Sequence, residues 1–180
     1  MRLIYDSVAA LLIASALASI AVPAHAADPC AAFKWDLSRE RALFAGPAVP
    51  LTAGKDRASA PVVAPNRLYQ LQLTAQDHVA FVTPPAKKML AEGAYAGIAM
   101  LKVPVSGGYR VAVDNPFWID VVLNGALVTA KNFQSQEGCS APHKIVEFEL
   151  AAAQPFVLQF SGAARGSVRL SVTQSPMQQP

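Results

Sequence analysis

Residues 117–128 read Phe117-Trp118-Ile119-Asp120-Val121-Val122-Leu123-Asn124-Gly125-Ala126-Leu127-Val128. An apolar run, then Asn-Gly, then a second apolar run is the strongest short-range signature of a β-hairpin. Asn and Gly both tolerate the positive φ of a type I′ turn, whose twist matches that of the flanking strands. In an extended strand alternate side chains face opposite ways. Phe117, Ile119, Val121 and Leu123 therefore form one face, the expected core, and Trp118, Asp120 and Val122 form the other. That second face sets an aromatic ring beside a carboxylate.

Working outward, the same two-residue period recurs. Gly107-Gly108 turns into Tyr109–Val113, and before it Tyr95–Val103 is nearly all apolar and closed by Pro104. Tyr69, Leu71 and Leu73 alternate with Gln70, Gln72 and Thr74, and Val79 and Phe81 continue the pattern up to Thr83-Pro84-Pro85. Lys87-Lys88, just beyond, reads as a solvated turn. Towards the C-terminus Lys144–Leu150 alternates again. Phe156–Phe160 and Val168–Val172 follow, split by Ser161-Gly162 and Gly166. Eight or nine short strands with turn chemistry between them specify an all-β fold, an antiparallel β-sandwich of jelly-roll type. Parallel strands call for long crossovers, usually helical, and the chain offers none there. The sandwich is expected over 67–173, followed by a polar, disordered tail at 174–180. Residues 27–66 should hold one short helix within 33–45, capped by Asp36 with Phe33, Leu37 and Phe44 on one face. An extended crossing rich in Pro, Ala, Gly and Ser should complete that segment.

The chain starts with the marks of a cleavable signal peptide over 1–26: Arg2, an apolar stretch from Val8 to Val22, and Pro23-Ala24-His25-Ala26 as an A-x-A cleavage site. About 15 apolar residues fall short of the ~20 that span a bilayer, so no stable membrane span should remain after cleavage. The expected address is periplasmic or secreted. The net charge of +3 is scattered rather than clustered, which argues against nucleic acid as a partner. The only two cysteines, Cys30 and Cys139, are most simply one disulfide in an oxidising compartment. No C-x-x-C pair and no adjacent His favours metal or thiol chemistry instead.

Catalytic signatures are sparse. There is no G-x-S-x-G elbow, no P-loop and no dinucleotide fingerprint. Glu147 and Glu149 share one strand face, whereas glycosidase carboxylates must oppose each other across a cleft. Beyond the signal region the histidines are His78 and His143. Four residues separate His143 from Glu147, so on a strand both point to the same side. With His78 they make up the two-His, one-carboxylate composition of a non-haem iron site. The simpler reading has both histidines at strand ends on the surface. Trp118 and Asp120 could stack a sugar and bind its hydroxyls. Alternatively Trp118 packs beneath the N-terminal segment or the loop held by Cys30–Cys139, with Trp35 a candidate for the same packing.

Gly108-Tyr109-Arg110-Val111-Ala112-Val113 and Trp118–Gly125 resemble a stretch of secreted bacterial sandwich modules, the pre-peptidase C-terminal and galactose-binding-like jelly rolls. That resemblance implies an accessory module that binds carbohydrate, cell surface or a protein partner. The stretches Cys30–Leu37 and Ala141–Phe148 are also similar to a family of short exported alphaproteobacterial proteins, some labelled homogentisate dioxygenase. That label implies iron-dependent ring cleavage, although the genuine enzyme is longer, cytosolic and built around a His-rich cupin site. Two functions are therefore expected in order: an exported, non-catalytic sandwich without a cofactor that binds a glycan or envelope protein, and, as alternative, an iron oxygenase using His78, His143 and Glu147.

Overall fold

A computed structural model describes residues 28–88 and 92–176 of the chain. The expected signal peptide and the end of the expected tail lie outside those residues. The decisive hairpin forms as read. Strand β7 (Trp118–Leu123) pairs antiparallel with β8 (Ala126–Val128), Leu123 opposite Ala126. Asn124 and Gly125 turn between them at φ 52° and 80°.

Around it two sheets face each other. The first runs β1 (Val49–Thr52), β3 (Leu68–Gln72), β12 (Ser167–Gln174), β6 (Gly107–Val113), β10 (Lys144–Leu150) and β9 (Ala130–Ser135) in spatial order. The second runs β2 (Val62–Val63), β5 (Tyr95–Leu101), β11 (Phe156–Ala163), β7 and β8, with β4 (Thr74–Ala75) added on β5. The chain is an all-β sandwich. Its interior takes Val111, Val113, Phe148, Leu150 and Leu170 from one sheet, and Leu101, Ile119, Val121, Leu158 and Phe160 from the other. Phe117 meets Phe160 edge to face across 5.9 Å, the arrangement the ring quadrupoles favour. Removing this much aliphatic and aromatic surface from water is the main stabilising term.

Four local expectations need correction. Residues 46–65 are not merely a crossing: they hold β1 and β2, and both pair in parallel, β1 with β3 and β2 with β5. The sheets are therefore mixed. No crossover helix is needed, because the chain leaves one sheet at β1, adds β2 to the other and returns at β3. Pro50 is tolerated because β1 lies on an edge, where a missing N–H breaks no interior ladder. Val79–Phe81 form no strand. Gln76–His78 is a 3-10 turn, and the chain then lies across the outer face of the second sheet, with Val79 and Val82 against Ile98, Val122 and Val157. The Gln159 side chain takes the place of a neighbouring strand: its Oε1 accepts from the N–H groups of Val82 and Thr83, and its Nε2 donates to the Thr83 carbonyl. β9 is an additional, mostly exposed edge strand. Finally, Gln174 of the expected tail belongs to β12.

The helix is shorter than expected. It covers Ser38–Ala45 (α1), after a 3-10 turn at Pro29–Ala32. The expected cap is displaced: Leu37 holds the N-cap position without a side-chain cap bond, and Asp36, one residue earlier, accepts from the Ser38 N–H through Oδ1 at 2.9 Å. Leu37 and Phe44 pack on Leu68, Ala112 and Ile145, on the outer face of the first sheet, with Phe33 and Trp35 at the margin. Cys30 and Cys139 are bonded, with Cα atoms 5.0 Å apart. The bond fastens this N-terminal cover to the loop before β10. Among the described residues no helix is long and apolar enough to cross a membrane.

Candidate functional site

Trp118 opens β7 at one end of the sandwich, on the outer face of the second sheet. It is half-buried, and the N-terminal segment lies on the other sheet, so the packing expected beneath that segment belongs to Trp35 alone. The indole is held from behind. Its Nε1–H donates to Asp120 Oδ1 at 2.9 Å, and the Ala86 N–H donates to Asp120 Oδ2 at 3.1 Å. Asp120 is buried, and its oxygens face these donors rather than a ligand. The expected pair is thus brought together, with the Asp120 carboxylate turned to the indole N–H.

Two ammonium groups lie over the same ring. Lys144 Nζ is 5.1 Å from the indole centroid and Lys87 Nζ is 5.6 Å away. Lys144, the first residue of β10, reaches across the mouth of the sandwich and donates to the Phe117 carbonyl at 2.8 Å. Lys87 arrives from the segment that crosses the second sheet. Burial holds the Lys144 ammonium below the usual lysine range, and the charge of Lys87 adds to that, against the opposing pull of the Asp120 carboxylate. Burial also pushes the Asp120 carboxyl up, against the opposing effect of its two hydrogen bonds and of Lys144. Trp118, Lys87 and Lys144, with Phe133, Ser135 and His143, border an open cavity of about 330 Å3 that Asp120 does not line. Phe133, on edge strand β9, is 63% exposed.

The alternative iron set is not brought together. His78 sits on the exposed 3-10 turn, 3.9 Å from Asp77. His143 precedes β10, its Nδ1 3.2 Å from the Cys139 carbonyl oxygen, and lines the Trp118 cavity. Glu147 lies on the outer face of the first sheet, its Oε2 3.9 Å from Arg110 Nε. Among the described residues no group of three or more His, Cys, Asp or Glu is placed to hold a metal ion.

A second constellation sits around Arg110, which reads in the sequence as one more position of a strand. Its guanidinium stacks 4.6 Å from the Trp35 centroid and donates to the Asp36 carbonyl at 3.0 Å. Glu40 from α1 is 3.8 Å away on one side and Glu147 lies on the other. Glu40 in turn accepts from the Thr173 hydroxyl. Clefts of about 430 and 290 Å3 flank Arg110, and Ser175 and Pro176 line both. They are the rims of the joint between helix and sheet. Their charged groups already face each other.

No family model matches this chain, and no curated protein matches it. Among solved structures it is similar to a β-glucosidase from Kluyveromyces marxianus, at 15% identity and a TM-score of 0.32 over 46% of this chain and 11% of that one. It is also similar to a β-glucosidase from Paenibacillus barengoltzii, at 16% identity and a TM-score of 0.29 over 69% of this chain and 13% of that one. The chain thus spans only a small part of either enzyme.

Proposed function

We propose that this protein is an exported, non-catalytic β-sandwich that binds a glycan of the cell envelope or its surroundings, with Trp118 as the stacking surface. One observation carries the reading. A half-exposed indole, fixed in orientation by a buried carboxylate, forms the wall of an open cavity. A rigid aromatic surface gives a ligand large contact area at little entropic cost. The one carboxylate next to the ring is occupied in orienting it, which favours binding over acid–base chemistry. Export is supported by the signal-like N-terminus and by the Cys30–Cys139 bond, since such bonds persist in oxidising compartments.

The test is a titration of the purified protein with cell-wall and polysaccharide fractions, following tryptophan emission. Binding should shift the emission, and Trp118→Ala should abolish the shift while Trp35→Phe retains it. No shift with any fraction, and no effect of Trp118→Ala, would end the proposal.

A further inference from the structure

We infer that the ligand taken at Trp118 is an acidic glycan, its carboxylates drawn between Lys87 and Lys144 while a sugar face rests on the indole. The inference rests on the glycan reading above and narrows its ligand class. Three observations carry it. The two ammonium groups converge on one ring, at 5.1 and 5.6 Å. Neither forms an ion pair among the described residues, whereas Arg41, Arg110, Lys131 and Arg169 each do. Among the described residues no carboxylate lines the cavity, whose remaining polar groups are His143 and Ser135.

Like charges held close together cost Coulomb energy, more so beside a low-dielectric wall. The attraction of the ring face for each cation offsets part of that cost. The nearest carboxylate, Asp120, is turned to the indole N–H and the Ala86 N–H. An anion entering the cavity would relieve the repulsion that the fold leaves in place. A neutral sugar would stack on the same ring and leave it unrelieved. Ammonium groups act as compact point charges without the planar fork of a guanidinium, so they suit carboxylates repeated along a polymer.

The experiment is calorimetric titration of the intact protein with polygalacturonate and, in parallel, with dextran at low salt. Polygalacturonate should bind at least about tenfold more tightly, and the margin should shrink at high salt as the charges are screened. Lys87→Gln combined with Lys144→Met should erase the margin. Lys102→Gln, at the far end of β5, should retain it. Lys87→Gln alone, on an exposed side chain, should narrow the margin and covers the case in which the double variant folds poorly. Dextran binding as tightly as polygalacturonate, or a margin that survives loss of both lysines, would overturn the acidic ligand and leave the glycan reading standing. Binding of neither polymer would overturn both.

Discussion

The molecule contains two tryptophans, and each carries cations on its ring, on outer faces of opposite sheets. At Trp35 the cation is Arg110, flanked by Glu40 and Glu147 and hydrogen-bonded to the Asp36 carbonyl. At Trp118 the cations are Lys87 and Lys144, and among the described residues neither forms an ion pair. The first arrangement brings opposite charges within reach of each other, although Arg110 Nε is buried without a hydrogen-bond partner. The second has charge left over. Cation on ring is therefore a structural joint in one place and, on the function proposed above, a receptive surface in the other. What separates them is a counter-ion within ion-pair distance, present beside Arg110 and, among the described residues, lacking beside Lys87 and Lys144.

The largest effect should come from what fastens the Trp35 side. Reducing Cys30–Cys139, or replacing both by Ser, frees a loop of 109 residues. The chain-entropy model values that constraint at roughly 4–5 kcal/mol. Denaturant unfolding with and without reductant should show a loss of that order. A loss near zero would mean that α1 holds to the sheet by packing alone.

Next comes the direct contrast of the two cations. Arg110→Met leaves the buried Glu40 without its cation, and breaking such a pair from one side costs about 3–5 kcal/mol. Lys144→Met removes a half-buried charge that has no ion pair, so stability should change by less than about 1 kcal/mol. Thermal unfolding of the two variants side by side checks this. Equal losses would erase the distinction between joint and surface. Asp120→Leu should fall between them, at roughly 2 kcal/mol, because it strands the indole N–H and the Ala86 N–H. It should also loosen Trp118, read as a drop in its fluorescence anisotropy.

How much of this contrast the sequence carries depends on how local each half is. The hairpin at 117–128 is legible because its turn chemistry is contiguous, and Cys30–Cys139 because the chain has only those two cysteines. Trp118 and Asp120 are legible as neighbours because residues two apart share a strand face. Lys87 and Lys144 are not. They reach the same ring only through the crossing segment and the opposite sheet, and Lys87-Lys88 by itself looks like any solvated turn. Arg110 hides among the valines of its strand, its partners supplied by α1 and β10. Val79–Phe81 mislead for a related reason: their alternation is that of a strand, yet they follow a 3-10 turn and lie across the sheet, and a distant amide, Gln159, takes up the backbone groups of the Val82 and Thr83 that come next. β1 and β2 are masked by proline and small residues, and their parallel pairing depends on how the chain passes between the sheets.

The smallest effect is a slope of stability against pH, and its sign follows from the unpaired charge. Burial, with Lys87 nearby, places the folded-state value of Lys144 below 10.5. Below that folded value both folded and unfolded chains hold the proton, and the cost of the buried ammonium is present in full. As pH rises through the folded value towards 10.5, the folded chain releases its proton first and the unfolded chain binds more, so stability increases. Asp120 has the opposite sign. Its folded value is raised above 3.8, so stability falls as pH rises from 3.8 through that folded value. Chemical denaturation across the alkaline range should show the Lys144 component in the parent protein, and Lys144→Met should remove it. Lys87→Gln should reduce it, since one of its causes is gone, and Arg110→Met should leave it in place. An alkaline slope that survives Lys144→Met would place the desolvated ammonium elsewhere, and the Trp118 cavity would lose the charge that sets it apart from the joint at Trp35.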